Sequence, residues 1–376
     1  MKYLIQSTII LIISSILFLL IDFFFGIYIL SFVNSKMIDE YNLYKLDKNL
    51  RIKNNFYHHD LKKNYKTLEV TLRNAYKYRV CTDKFGFKFS CSDIPKKDSK
   101  LAIIGDSFTE GIKLNYEDTF VGKLEHDLGT RIYNMGVATY SPKIYYTKIK
   151  KKINNDFKPR HIILALDISD IIDDTNLYDL KNEKVTDKKN KFYIKELLVR
   201  NFKLSYYFYN QIKYTKIYKD KRKIKLNIDK NFEKIFHDVP FEKKIITKQI
   251  IKKNYHLSKW VHNIDENRES IEESKKYLNK TFNFLEENKI KFSFLIYPWP
   301  SMIYNSENNP RFVEIWKDFC EKRCENFFDL VTPLVNQSEK LGKLNFIKKY
   351  YFYGDVHFNE DGNKLLAKEL YKQIKN

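Results

Sequence analysis

An α/β domain with a mainly parallel sheet, carried behind an N-terminal membrane helix, is what this chain predicts. Three observations point to it. Strand-like apolar runs at 101–105, 131–136, 161–167, 291–298 and 325–331 alternate with helix-like stretches such as 265–288 and 359–374. That alternation implies a parallel sheet with helices on both faces. Tyr3 to Ile21 is 19 residues without a charge, and Phe23 to Val33 prolongs it beyond Asp22; about 20 apolar residues cross a bilayer. Finally, a serine follows the run Leu101–Ile104 by three residues, at the strand end where such sheets bind ligands.

The elements follow in order. Residues 1–33 are read as an uncleaved anchor, since a cleaved leader has a shorter apolar core and an Ala-x-Ala-like site. Asp22 is costly at the bilayer centre, so it is expected near the far interface, with no chemistry assigned. Residues 34–99 read as a polar stalk leading into Phe85-Gly86-Phe87-Lys88. Residues 100–376 form the α/β domain, with a large insertion at about 175–264 between the third and fourth strands. Within it lie Tyr206-Tyr207-Phe208-Tyr209 and Lys219-Asp220-Lys221-Arg222-Lys223. Such interleaving can stack sugars or bases or sit at a membrane interface, but more often it is a helical face packed on its domain with solvated lysines.

The net charge is +21, from 68 Lys and Arg against 47 Asp and Glu. A basic balance can mean nucleic acid or an anionic surface. Here lysine is spread along the chain with Asn and Ile, and no zinc spacing, RNA-binding signature or helix-turn-helix pattern accompanies it. No nucleic-acid partner is expected. Four cysteines form two close pairs, Cys81 with Cys91 and Cys320 with Cys324. Paired cysteines suit an oxidising compartment. Bridging four residues apart on a regular helix is awkward, and no His stands at zinc spacing. The flanks compete with this reading: Lys2 alone precedes the apolar run, whereas Lys36, Lys45, Lys48, Arg51 and Lys53 follow it, which by the positive-inside rule favours a cytoplasmic domain. Because lysine is abundant everywhere, the cysteines decide. A single-pass membrane protein with its domain on the extracytoplasmic (periplasmic) side is expected.

The chemistry rests on Ile103-Ile104-Gly105-Asp106-Ser107-Phe108-Thr109-Glu110-Gly111. Gly105 allows a tight turn, and Ser107 opens a helix whose N–H groups can hold an oxyanion. An ordinary strand with an N-capped helix, Asp106 or Ser107 being the cap, reads the same residues without catalysis. Near the other end stands Asp355-Val356-His357-Phe358-Asn359, with Gly362 after it. Together the two elements resemble the SGNH/GDSL hydrolase family over residues 78–373, most closely at 101–111, 132–142 and 350–367. The resemblance implies a three-layer, flavodoxin-like parallel sheet. It implies a serine mechanism with Ser107 as nucleophile, His357 as its base and Asp355 orienting the His. The family's usual Asp lies three before the His, where this chain has Gly354; Asp355 stands two before it.

In the second block, Arg131-Ile132-Tyr133-Asn134-Met135-Gly136-Val137, the resemblance implies that Gly136 gives a backbone N–H to the oxyanion hole. In the third, Leu166-Asp167-Ile168-Ser169-Asp170, Ser169 occupies the place of the family's Asn. A hydroxyl can still donate one hydrogen bond, so the expected hole is Ser107, Gly136 and Ser169. The loop Tyr297-Pro298-Trp299-Pro300-Ser301 follows the fourth strand, which makes Trp299 a substrate-contact candidate or part of a rigid structural loop. No cofactor or metal is expected. The implied activity is that of an anchored esterase on O-acyl groups, acetyl foremost, of a cell-surface glycan or related ester. The alternatives are an O-acyltransferase partner, or a glycan-binding or assembly module with an impaired site.

Overall fold

The computed structural model describes residues 2–33, 46–67, 69–71, 77–92, 97–154, 157–188, 201–209, 261, 264–305, 309–352 and 355–375. They divide into two compact units: Met1–Asn49, Val70–Lys77 and Asn190–Asp238 in one, Leu50–Glu69, Tyr78–Lys189 and Val239–Asn376 in the other. The first unit holds α1 (Lys2–Val33) and a short helical stretch at 203–209. Within α1, Ile5–Ile29 is long and apolar enough to cross a membrane; a secretory leader has the same character.

The second unit begins with a hairpin of β1 (Arg51–Asn54) and β2 (His58–Leu61). Two short strands follow, β3 (Cys81–Thr82) and β4 (Lys88–Phe89). Then come β5 (Lys97–Ile104), α2 (Ser107–Glu110), α3 (Phe120–Leu128), β6 (Thr130–Asn134), α4 (Pro142–Lys152) and β7 (His161–Leu166). After α5 (Asp170–Asn176), β8 (Tyr178–Lys181) and β9 (Lys184–Asp187) make a second hairpin. The rest is α6 (Arg268–Glu287), β10 (Lys291–Ile296), α7 (Pro300–Tyr304), α8 (Asn309–Cys320), β11 (Asn326–Asp329), α9 (Val331–Leu341), α10 (Lys343–Tyr350) and α11 (Glu360–Lys375).

The main sheet has seven strands in the order β11-β10-β7-β5-β6-β4-β3. Strands β5, β6, β7, β10 and β11 are parallel neighbours. Counted along the chain they lie 2-1-3-4-5, the flavodoxin-like order, whose direction of winding reverses between the first and third strands. Ligands bind outside the carboxyl ends of the strands at that reversal, here between β5 and β7. The registers Ile104↔Leu164 and Ile296↔Leu166 bring the turns after β5, β7 and β10 to one edge. The central strands are buried where both faces are covered: Ala102 to Ile104, Ile162 to Leu166 and Phe292 to Ile296, with Ser293 as the one polar residue among them.

The expected stalk needs correcting. Leu50–Glu69 and the part from Tyr78 on belong to the second unit, and Val70–Lys77 to the first. Leu50, Tyr57, Leu61, Tyr78, Val80 and Phe87 are buried. Asp60 on β2 accepts from Lys148 and Lys152 of α4, both at 2.9 Å. Likewise the sheet is mixed, since β4 joins β6 antiparallel through Lys88↔Asn134. The turn between β3 and β4 is made by Asp83, whose carboxylate accepts the N–H groups of Phe85 and Phe87 at 2.8 and 2.9 Å. Cys81 and Cys91 are bonded, as are Cys320 and Cys324. The second bridge forms because α8 ends at Cys320, and the turn 321–323 sets Cys324 beside it. Much of the insertion, Lys219–Lys223 included, lies outside the described residues.

Candidate active site

Ser107 stands at the first position of α2, directly after β5. Asp106 is the cap: its carboxylate accepts the Phe108 N–H at 2.9 Å. The turn is close because Gly105 has no side chain. A Cβ there would lie 2.1 Å from Thr109 Oγ1 and 2.8 Å from the Ala165 carbonyl, so close approach of β7 and α2, rather than an unusual backbone angle, requires glycine.

His357 arrives from the other end of the chain. Tyr351 and Phe358 bridge the base of its loop. Tyr351 donates its hydroxyl to the Pro298 carbonyl at 2.9 Å, fixing the loop on the turn after β10. The Asn359 side chain accepts the Gly362 N–H at 3.0 Å at the start of α11. The imidazole packs on Phe108, ring centroids 4.6 Å apart. Its Nε2 lies 2.8 Å from Ser107 Oγ, and its Nδ1 lies 2.9 Å from Asp355 Oδ1. Asp355 therefore reaches the imidazole from two residues away. With Nδ1–H donating to the carboxylate, Nε2 keeps its lone pair for the serine proton. The other Asp355 oxygen is held by the Lys113 ammonium. Lys113 was invisible in the sequence, because 242 residues separate it from its partner.

Beneath the serine three carboxylates converge. Asp106, Asp167 and Asp170 each offer an oxygen within 4.8 Å of the others, and all are buried. Burial pushes all three pKa values up, and the neighbouring carboxylates push Asp106 and Asp170 further, well above the usual range. Hydrogen bonds from Ser169 and Trp299 offset part of the burial cost at Asp167. Three mutual charges in an apolar interior are unaffordable, so protons reside there. This matters for Ser107, whose oxygen lies 2.9 Å from Asp106 Oδ2 as well as 2.8 Å from His357. A hydroxyl has one hydrogen. With a proton on Asp106 supplying the first contact, the serine hydrogen is left for His357.

The acid cluster has a consequence for stability. A carboxyl whose folded pKa is raised stays protonated in the fold at pH values where the unfolded chain has lost the proton. Stability therefore falls as pH rises from the ordinary carboxylate pKa towards the folded one. Asp170→Asn is expected to flatten the decline in melting temperature as pH rises above the unfolded carboxylate pKa of about 4, read by thermal unfolding. An unchanged slope would mean that the cluster is not protonated at Asp170.

The proposed hole differs in two of its three members. Gly136 sits hard against α2, where a Cβ would be 2.5 Å from the Glu110 nitrogen, but its N–H already donates to Asn134 Oδ1 at 3.0 Å. Asn134, a residue the motif reading left without a role, also donates to the Thr109 carbonyl at 2.8 Å. Ser169 is turned the other way: its hydroxyl donates to Asp167 Oδ1 at 2.6 Å and its N–H to the same atom at 2.8 Å. The buried Asp167 captures the hydroxyl because it needs donors more than a solvated group would. The Ser107 N–H lies in the first turn of its helix, where no intrahelical partner exists, and it too bears on a carboxylate, that of Asp106. Ser169→Ala is accordingly expected to lower kcat by less than about 10-fold, against the roughly 10²–10³ that follows loss of a true oxyanion donor. Steady-state kinetics on an aryl acetate decides it; a larger kcat loss at unchanged KM would restore Ser169 to the hole.

Trp299 is also placed differently from the exposed contact considered for it. It is 3% exposed, donates Nε1 to Asp167 Oδ2 at 2.6 Å and stacks on Phe108 at 6.3 Å. It is a wall behind the serine and belongs to the rigid-loop alternative.

No family model matches the chain, and no curated protein does. Among solved structures it is similar to a member of the lipolytic G-D-S-L family from Veillonella parvula, at 14% identity and a TM-score of 0.39, covering 73% of this chain and 98% of that one. It is similar to an acetylxylan esterase from Geobacillus stearothermophilus, at 11% identity and TM-score 0.41, covering 74% and 95%. It is similar also to a psychrotrophic esterase from a Pseudoalteromonas species, at 11% identity and TM-score 0.36, covering 74% and 97%. At these identities nothing about activity follows for this chain.

Proposed function

We propose that this protein is a membrane-anchored serine esterase acting on O-acyl esters, acetyl foremost, of a cell-surface glycan or a related substrate. The observation that carries the proposal is the row Ser107–His357–Asp355, hydrogen-bonded at 2.8 and 2.9 Å at the carboxyl edge of a parallel sheet. In the reaction, Ser107 Oγ attacks the ester carbonyl carbon while His357 Nε2 takes its proton. The oxyanion forms against the first turn of α2. Collapse breaks the bond to the alcohol oxygen, which leaves with the proton from His357. An acyl-serine remains. Water, or a sugar hydroxyl in a transfer reaction, then attacks it with His357 again as base; the acyl–Oγ bond breaks, His357 returns the proton to Ser107, and the acid or the acylated sugar leaves. The glycan and the acetyl group rest on the motif resemblance, the anchor on α1.

Labelling with a fluorophosphonate tests the nucleophile. The full chain in membranes should form an adduct on Ser107 that Ser107→Ala abolishes; no labelling, or labelling that survives the substitution, would overturn the reading. A second reading has support of its own. The engaged Gly136 N–H and Ser169 hydroxyl favour a glycan-binding module with an impaired site, and an unlabelled but folded chain would select it.

The compartment is tested through the cysteines. Both bridges favour an oxidising, extracytoplasmic location. Cys81 and Cys91 should resist alkylation in freshly blocked cells, and reducing that bridge should cost about 2–3 kcal/mol for a loop of this length. Free, alkylated thiols at both positions would point to a cytoplasmic domain.

A further inference from the structure

One charge interrupts the apolar helix α1, and the structure shows what satisfies it. Asp22 is fully buried. Its carboxylate accepts the backbone N–H groups of Leu204 and Ser205 at 2.7 and 2.8 Å and the Ser205 hydroxyl at 2.7 Å. These donors come from the insertion, 182 residues away in sequence.

The face of α1 that receives them is defined. Asp22, Gly26 and Ile29 follow helical spacing; Asp22 and Gly26 are buried and Ile29 is half-buried, while the residues between are exposed. At Gly26 a Cβ would be 2.2 Å from Asp22 Oδ1, so glycine leaves room for the carboxylate that receives the incoming segment, whose Lys203 nitrogen would stand at ordinary contact, 3.6 Å away. A small residue beside a polar group that hydrogen-bonds across is how helices pack inside a membrane, where the hydrophobic effect gives no drive between them.

The stretch 201–209 then lies along α1. Phe202 meets Phe23 with centroids 6.1 Å apart, and Phe208 meets Phe18 at 6.5 Å. Leu204 packs with Ile29, Tyr206 and Tyr207. From Ser205 to Phe208 the stretch therefore descends from the level of Asp22 to that of Phe18, within the Ile5–Ile29 span. On its outer side Phe208 is 52% exposed and Tyr209 37%, continuous with the exposed rings of α1. In water that surface is unfavourable. At the boundary of a bilayer it is what tyrosine and phenylalanine prefer.

We propose that residues 201–209 are a second membrane element, docked on α1 through Asp22 and Gly26, with the Phe208 and Tyr209 rings in lipid. The apolar run is too short to span. The partner is the bilayer, and Asp22 is a pin for this element. The inference rests on α1 being a membrane anchor.

The test uses the full chain reconstituted in vesicles of phosphatidylcholine and phosphatidylglycerol, carrying a fluorophore on Phe208→Cys. No described cysteine is free, so the dye reacts at the introduced site. A second label on Lys280→Cys, exposed on α6, reports the aqueous unit. Nitroxide-bearing lipids should quench the dye at 208 at least about twofold more than the dye at 280, and iodide should do the reverse. Adding Asp22→Leu, which makes α1 more apolar, should keep the chain membrane-bound but abolish the lipid quenching at 208. A dye at 208 open to iodide and untouched by lipid nitroxides, in a chain that resists carbonate extraction, would overturn the proposal. Lipid quenching at 208 unchanged by Asp22→Leu would overturn the docking. Loss of the chain on carbonate extraction would instead remove the anchor on which the proposal stands.

Discussion

Ser107→Ala and His357→Ala are each expected to remove nearly all hydrolysis of p-nitrophenyl acetate, on the order of 10³-fold or more in kcat, with the double variant little worse than either. The non-additivity follows from geometry. The serine is a weak nucleophile until Nε2, 2.8 Å away, accepts its proton, so removing either group removes one function. Asp355→Ala should cost less, because the Phe108 ring still packs on the imidazole, and it should spare KM. Steady-state kinetics on the three variants and the pair decides the matter. Retention of more than about a tenth of the activity by Ser107→Ala would mean that another group attacks the ester.

The residues that were legible before folding are those whose signal is local. The five parallel strands announce themselves because each coincides with a local apolar run, and Ser107 and His357 because the motifs around them are short and contiguous. What escaped is what folding assembles. Residues 50–61 read as polar because Arg51, Lys53, His58, His59 and Asp60 crowd them, yet Asp60 is paired with Lys148 across 88 residues. The strands β3 and β4 are two residues each, too short for any period. Ser169 reads as an oxyanion donor because it stands in the place of the family's Asn, and Trp299 as a substrate contact because its loop follows a strand at the edge that carries Ser107. Both were captured by one buried carboxylate, Asp167, whose demand for donors cannot be weighed until its burial is known. Asp106, Asp167 and Asp170 are separate signals in sequence, and their coupling exists only in space.

The other large effect is expected at Arg51, far from any motif. Its guanidinium grips Glu110, the last residue of α2, at 2.8 and 2.9 Å. The second Glu110 contact is the Ala138 N–H at 2.7 Å, two residues past Gly136. Glu110 is thus a buried tie between β1, the nucleophile's helix and the second-block loop. Burial pushes its pKa up, but Arg51 outweighs this and holds it below the usual range. Arg51→Leu leaves that carboxylate buried and unpaired, which costs about 3–5 kcal/mol and should lower the melting temperature by roughly 5–10 °C in a unit of this size. The sign of the pH dependence makes the cause identifiable. A carboxylate with a depressed folded pKa contributes stability that is present above its unfolded pKa and lost as pH falls through the folded one. The parent should therefore lose this contribution on going from about pH 7 to pH 4, whereas Arg51→Leu, having lost it already, should decline less over that range. Adding Glu110→Gln to Arg51→Leu should recover part of the loss, because an amide is neutral and its oxygen still accepts from Ala138. Should Arg51→Leu melt with the parent at neutral pH, the pair would be a surface-like contact and the second unit would not depend on the segment that carries it.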